Sequence, residues 1–237
     1  MKINFPLWES FLDILFPASC LNCHGKLSRD REHFFICRSC LLNVELASGF
    51  VCPKCGGRLP ELQLSCHGQV DYILACPTSY DNLIIKKLIW QFKFKGQRKA
   101  VLALSAFLSA YLEDNSVDLR DFLVLPIPLF SARRKSRGFN QAELLARAVG
   151  EYFGLVVDCE NLVRIRNTKT QLEFNSLGGR RENVAGCFKL LKKSDISGRN
   201  IVLVDDVWTT GSTMNEAARI LKRAGARKII AITVARA

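Results

Sequence analysis

From residue 70 onward the chain alternates short, nearly continuous apolar runs with longer segments whose apolar positions recur every three or four residues. Residues 70–77 (VDYILACP), 121–127 (DFLVLPI), 200–204 (NIVLV) and 228–234 (KIIAITV) read as buried strands, and helices are predicted around 81–93, 98–113, 139–153 and 212–224. Strands apolar at every position and separated by helices predict a parallel sheet covered on both faces. In the 81–93 helix Ile85, Leu88, Ile89 and Phe92 share a face, which assigns Phe92 to the core and leaves Phe94 and Trp90 outside it.

The first 69 residues have few aliphatic positions and do not continue this alternation. Trp8, Phe11, Leu12, Leu15 and Phe16 have helical spacing and predict an N-terminal amphipathic helix packed on its own protein. Glu9 and Asp13 interrupt this stretch, it lacks a clustered positive region, and no later run approaches the ~20 apolar residues of a span, so neither a signal peptide nor membrane insertion is expected. The expected location is the cytoplasm, where closely paired cysteines bind metal more often than they form disulfides.

Composition sharpens this division. Seven of the 10 cysteines precede residue 67, whereas residues 1–70 hold 7 basic and 6 acidic side chains, against 27 and 16 in the remainder. The expected domains are therefore 1–69, a metal-stapled and nearly neutral head, and 70–237, an α/β body that carries the charge. Cys20, Cys23, Cys37 and Cys40 form two CxxC knuckles spaced to close around one tetrahedral Zn²⁺. A third knuckle, Cys52 and Cys55, is followed by Cys66 and His67, but residue 69 is Gln where a complete second ribbon would carry Cys. That second site is a ribbon without metal, a three-cysteine site completed by His67 or water, or a set that shares ligands with the first; one structural zinc is favoured over two. Cys76, Cys159 and Cys187 stand at no ligand spacing and read as small buried hydrophobes.

The most informative stretch runs from Ile201 to Thr213, IVLVDDVWTTGST, ahead of an amphipathic helix. It reads as a strand, an acidic pair, a hydroxyl-rich turn and a helix, at the carboxyl end of a sheet strand where ligands of open α/β sheets bind. Thr209, Thr210, Ser212 and Thr213, with the amides that open the helix, make a cradle for one phosphate, and Gly211 lets the backbone approach it. Asp205 and Asp206 would repel that phosphate, so they take another part of the same ligand, sugar hydroxyls or a bound Mg²⁺.

This stretch resembles the phosphoribosyl-pyrophosphate (PRPP) signature of type I phosphoribosyltransferases. The resemblance implies that Asp205 and Asp206 hold the ribose 2′ and 3′ hydroxyls and that Thr209, Thr210, Gly211, Ser212 and Thr213 bind the 5′-phosphate. Trp208 departs from it, standing where a smaller aliphatic residue is usual, and is expected beside the sugar, narrowing the pocket. Pro126-Ile127-Pro128, Arg133 to Gln141, Thr168 to Gln171, Arg181 to Phe188 and Phe92 to Gly96, with the zinc head, are similar to the ComF/ComFC competence family. That resemblance spans residues 17–236 and implies a type I phosphoribosyltransferase-like parallel sheet flanked by helices, preceded by a small zinc ribbon, and a part in DNA uptake and natural transformation.

The positive charge of the body falls in three clusters: Lys86 to Lys99, Arg133 to Arg137, and Arg164 to Arg181. Arg133, Arg134, Arg137 and Gly138, read as a loop after a strand end, are the expected pyrophosphate site, and 167–183 is expected to be a mobile lid. The supply of cations exceeds what a small ligand requires. Single-stranded DNA suits the surplus, with Lys93, Phe94, Lys95 and Arg98 as candidate contacts. The expected function is thus a Mg²⁺-dependent phosphoribosyltransferase acting on PRPP in DNA uptake. The alternative is a non-catalytic single-stranded DNA-binding or adaptor module, docking a helicase or another import partner, in which the pocket is regulatory. No His occurs in residues 71–237 to serve as an easy general base.

Overall fold

A computed structural model describes residues 18–27, 35–59, 66–68, 70–166 and 184–237. The predicted N-terminal helix, Gln69 and the 167–183 segment, with Thr168, Lys169, Gln171, Arg180 and Arg181, lie outside the described residues.

After a short helix in the head, α1 (Arg38–Leu42), come β1 (Ile73–Ala75), β2 (Thr78–Ser79), α2 (Leu83–Phe94), α3 (Val101–Asp114), β3 (Phe122–Pro126), α4 (Ser131–Arg137), α5 (Gln141–Phe153), β4 (Val156–Val157), β5 (Leu162–Arg164), β6 (Phe188–Leu190), β7 (Asn200–Trp208), α6 (Ser212–Arg223) and β8 (Lys228–Arg236). The main sheet runs β1-β8-β7-β3-β4, with β2 also on β8, and every pairing in it is parallel. β5 and β6 form a separate antiparallel pair.

The two faces of the sheet explain why its strands are apolar at every position. Val202, Val204, Ile230, Ile232 and Val234 point into one core with α2, α3 and α5. Ile201, Leu203, Ile229 and Ala231 point into the other with α6 and the β5–β6 pair. Because the strand period is two, alternate residues of β7 serve opposite cores. Ile85, Leu88, Ile89 and Phe92 of α2 are fully buried, as their spacing predicts, and Trp90 and Phe94 stand out at 46% and 63% exposure. Asn82 caps this helix by accepting from the amides of Ile84 and Ile85.

The head has no core of its own among the described residues. Cys20, Leu27, Ile36, Cys40 and Val44 belong to the cluster that includes α2 and α3. Polar contacts follow the same seam: Lys87 Nζ donates to the Leu21 carbonyl (2.9 Å), the Gly49 amide to Asn115 Oδ1 (2.8 Å), and the buried Tyr111 hydroxyl to the Gly49 carbonyl. Val51 bridges to Leu74, so the ribbon covers the outer edge of β1, which would otherwise present unpaired backbone groups.

Three sequence-based expectations change. β7 runs four residues beyond 204, which places Asp205 and Asp206 inside the strand rather than just past its end. Residues 131–137 form a helix, not a loop: Ala, Arg and Lys favour helix, and Gly138 in the left-handed region ends it. Cys76 and Cys187 are buried as expected, but Cys159 is only half-buried. No helix among the described residues is long and apolar enough to cross a membrane.

The two faces of α2 can be told apart by urea denaturation. Phe92→Ala is expected to cost about 3–5 kcal/mol and Trp90→Ala no more than about 0.5 kcal/mol; equal losses would contradict the assignment of faces.

Candidate functional site

The site is built at the carboxyl end of β7. The strand delivers Asp205, Asp206 and Trp208, the turn 209–211 reverses the chain, and α6 begins at Ser212. Gly211 makes the reversal at φ 74°, and no side chain caps the helix it opens. The first amides of α6 therefore keep their capacity to bind an anion. Thr210 Oγ1 and Ser212 Oγ share a hydrogen bond of 2.9 Å, which holds two hydroxyls of the turn together.

Strand alternation sends the two carboxylates to opposite faces of the sheet. Asp206 faces α2, where Lys93 Nζ lies 2.8 Å from Oδ1. Asp205 faces the other way and accepts the Asp206 amide at 2.8 Å. Burial, reinforced by the neighbouring Asp206 charge, pushes the Asp205 carboxyl up to about 7, while Lys93 and Arg164 oppose the rise. Arg137 and Arg164 complete the surroundings. Burial lowers both guanidinium groups, Asp206 and Asp205 pull Arg137 back up, and Asp205 does the same for Arg164. Arg164 comes from β5, 5.3 Å over the Phe188 ring of β6.

Several predicted contacts are thus redistributed. Lys93, expected on nucleic acid, turns inward, because the buried Asp206 needs a counter-charge that a solvated phosphate backbone does not. Arg98 donates to the Gly138 carbonyl at 2.8 Å and lies 5.2 Å over the Phe139 ring, so it braces the turn between α4 and α5. Arg134 leans away from the acid pair to Glu143, 3.1 Å, which also takes Arg147. Arg133 stays close enough to depress Arg137 and Arg164. Phe94 and Lys95 remain on the surface: the Arg137 guanidinium lies 5.9 Å from the Phe94 ring, and Lys95 lies 5.0 Å from the ring of Trp90.

Trp208 is not in the acid pocket. Its ring is 7% exposed and joins the opposite core, where Nε1 donates to the Tyr72 hydroxyl at 3.3 Å. Gln141 was not singled out from the sequence. It is 2% exposed, its Oε1 accepts from Arg137 at 2.7 Å, and its Nε2 has no hydrogen-bond partner among the described residues. Its signal, a polar residue at a core-facing helix position, was present but is common at helix starts.

In the head, the ligand atoms of Cys20, Cys23, Cys37 and Cys40 lie within 4.8 Å of one another, and so do those of Cys52, Cys55, Cys66 and His67. Sulfurs bound at ~2.3 Å around a tetrahedral zinc stand ~3.8 Å apart. The Cys23–Cys37 and Cys55–Cys66 separations, 3.7 and 3.6 Å, match. His67 Nδ1, 3.0 Å from Cys66 Sγ and 3.5 Å from Cys52 Sγ, supplies the fourth ligand that residue 69 does not. The geometry therefore offers two separate sets, where one zinc was favoured and shared ligands were an alternative. Although burial opposes it, knuckle amides lower Cys20 to about 6 and Cys52 to about 5, so each set holds a thiol poised as thiolate.

Residues 124–237 match the Phosphoribosyl transferase domain family, and residues 11–70 match the Double zinc ribbon domain family. Among curated proteins, the chain is 30% identical to Competence protein F of Haemophilus influenzae over 94% of its own length and 98% of that protein. It is 31% identical to the DNA utilization protein YhgH of Escherichia coli K12 (90% and 94%) and 29% identical to Competence protein ComFC of Bacillus subtilis (87% and 89%).

In ligand-free protein the carboxyl ¹³C resonance of Asp205 should titrate with a midpoint near 7. Asp206→Asn should lower that midpoint, since one of the two influences that raise it is removed. An ordinary carboxylate midpoint in the intact chain would contradict the arrangement.

Proposed function

The chain belongs to the ComF/ComFC competence family, and from that premise we propose that it is a PRPP- and Mg²⁺-binding protein of DNA uptake that also holds single-stranded DNA. The observation that carries this reading is the acid pair at the end of β7, set one turn before an uncapped helix and ringed by Lys93, Arg137 and Arg164. In this reading the 209–213 amides and hydroxyls hold the 5′-phosphate, Asp205 and Asp206 accept from the ribose hydroxyls, and Arg137 with Arg133 takes the pyrophosphate. Arg134, engaged by Glu143, is left out. The buried Nε2 of Gln141 is a donor beside Arg137 with no acceptor among the described residues, and a phosphate oxygen would satisfy it.

Mg²⁺ fits the donor set. A carboxyl pushed up to about 7 beside a second carboxylate marks a place short of positive charge, and a divalent ion held with the ligand would relieve it. When bound, such an ion neutralises charge on a departing pyrophosphate. Phosphoribosyl transfer from PRPP is accordingly the activity the site supports best. The carboxylate pair would stabilise positive charge on the sugar, and the cations negative charge on the leaving group.

Phe94 and Trp90, exposed and each paired with a cation, favour single-stranded nucleic acid as the larger partner. They equally serve the second reading, a non-catalytic DNA-binding or adaptor module that docks a helicase or other import component and uses the pocket as a regulatory site. The thiol-rich head, which needs reduced cysteines for metal, favours the cytoplasm. In this reading two structural zinc ions staple it, one in each tetrad.

Calorimetry of PRPP with Mg²⁺ should show binding that strengthens between about pH 6 and 8, as Asp205 ionises and becomes an acceptor for sugar hydroxyls. Asp206→Asn should abolish binding in folded protein; persistent binding would refute the site. Oligonucleotide affinity should fall with added salt, with a log–log slope of about −0.7 per phosphate contacted, and fall again in Phe94→Ala and Lys95→Ala. A flat salt response would discard the DNA reading. Metal analysis should return two zinc ions per chain and one in His67→Ala.

A further inference from the structure

The second ribbon knuckle and the phosphate turn meet on one side chain. Gly56, which follows the ligand Cys55, and Gly211, at the start of α6, both have positive φ (73° and 74°) and both face the Trp208 indole. A Cβ on Gly56 would stand 2.9 Å from Trp208 Cζ3, and one on Gly211 would stand 2.9 Å from Nε1 and 3.0 Å from Cζ2. The ring therefore fills the space between the two backbones, with no room for a methyl group on either side.

Polar contacts tie the same three parts together. Trp208 Nε1 donates to the Tyr72 hydroxyl, and that hydroxyl donates to Asn215 Oδ1 at 2.8 Å in the first turn of α6. The Asn215 amide in turn donates to the Gly211 carbonyl at 2.7 Å. On the other side, Arg236, the strand partner of Trp208, donates from its guanidinium to the Gly56 carbonyl. The knuckle is closed by Cys52 N to Gly57 O and Gly56 N to Cys52 O, both 2.8 Å. A cleft of about 590 Å³ is lined both by the knuckle, through Pro53 and Lys54, and by the turn and α6, through Thr210, Ser212 and Asn215, with Tyr72 also in its lining.

We infer that Trp208 is a positioning residue through which the Cys52–Cys55–Cys66–His67 set holds the 209–213 turn in its anion-binding shape. This rests on the proposed phosphate role of that turn, but the mechanical coupling does not require it. Loss of the fourth ligand loosens the knuckle, withdraws Gly56 from the ring, and lets Trp208 and Gly211 drift. A smaller aliphatic residue at 208 would not reach both glycines, which gives the departure from the usual signature a structural purpose.

Hydrogen exchange on the full chain, read at the 209–215 amides, tests the coupling, and PRPP calorimetry in parallel tests its consequence. His67→Ala should speed exchange there about tenfold, within the range typical of coupled sites, and weaken PRPP binding by a similar factor. The α5 amides should keep their wild-type rates. Trp208→Ala should do the same while retaining both zinc ions, and it keeps the test decisive if His67→Ala does not fold. Trp208→Phe, which keeps a ring between the glycines, should fall near wild type. Wild-type exchange at 209–215 in Trp208→Ala, or equal acceleration throughout the chain, would overturn the inference. Faster exchange in a chain whose wild type binds no PRPP would support the coupling and refute only the ligand assignment.

Discussion

Two adjacent carboxylates at the end of a central strand are the constraint around which this molecule is arranged. Burying a charge without a partner costs several kcal/mol, and β7 places Asp205 and Asp206 on opposite faces of a sheet covered on both. Lys93 from α2 pairs with Asp206, Lys93 and Arg164 from β5 both oppose the rise of Asp205, and both carboxylates act on the charge of Arg137 at the end of α4. The compensation is incomplete, and the carboxyl of Asp205 records the deficit by its rise to about 7. The deficit lies beside a helix start that no side chain caps. A fold selected for stability alone would have used apolar residues there.

The ribbon is part of this arrangement and not an appendage. It lends residues to the α2–α3 core, covers the open edge of β1, and sets a knuckle against the Trp208 ring behind the 209–211 turn. A small head whose buried residues join the α2–α3 core draws on the body for apolar surface. The second knuckle thus packs against the indole that also backs Gly211 of the turn.

Much was legible in residue order. Continuous apolar strands separated by amphipathic helices specify a parallel sheet, because only a strand covered on both faces tolerates such a run. Paired CxxC knuckles specify a ribbon, and the stretch from Asp205 to Thr213 specifies a strand end, a turn and a helix start, because these are local patterns whose parts lie within a few residues of one another. Phe92 and its neighbours on α2 were assigned to the core by period alone.

What residue order left open was every pairing across the chain. Lys93 and Arg98 read as DNA contacts in a basic run until the fold set Lys93 against Asp206 and Arg98 on the Gly138 carbonyl, and Arg134 read as a pyrophosphate ligand until the fold set it beside Glu143. His67 stood out of register with the missing cysteine, yet its ring closes the second tetrad. Trp208 was an anomaly beside a sugar site and became a spacer between two glycines 155 positions apart in the chain. Composition and spacing determine which chemistry is available and where the chain can turn. Which cation meets which carboxylate depends on long-range packing, because a long charged side chain reaches several partners and burial decides among them.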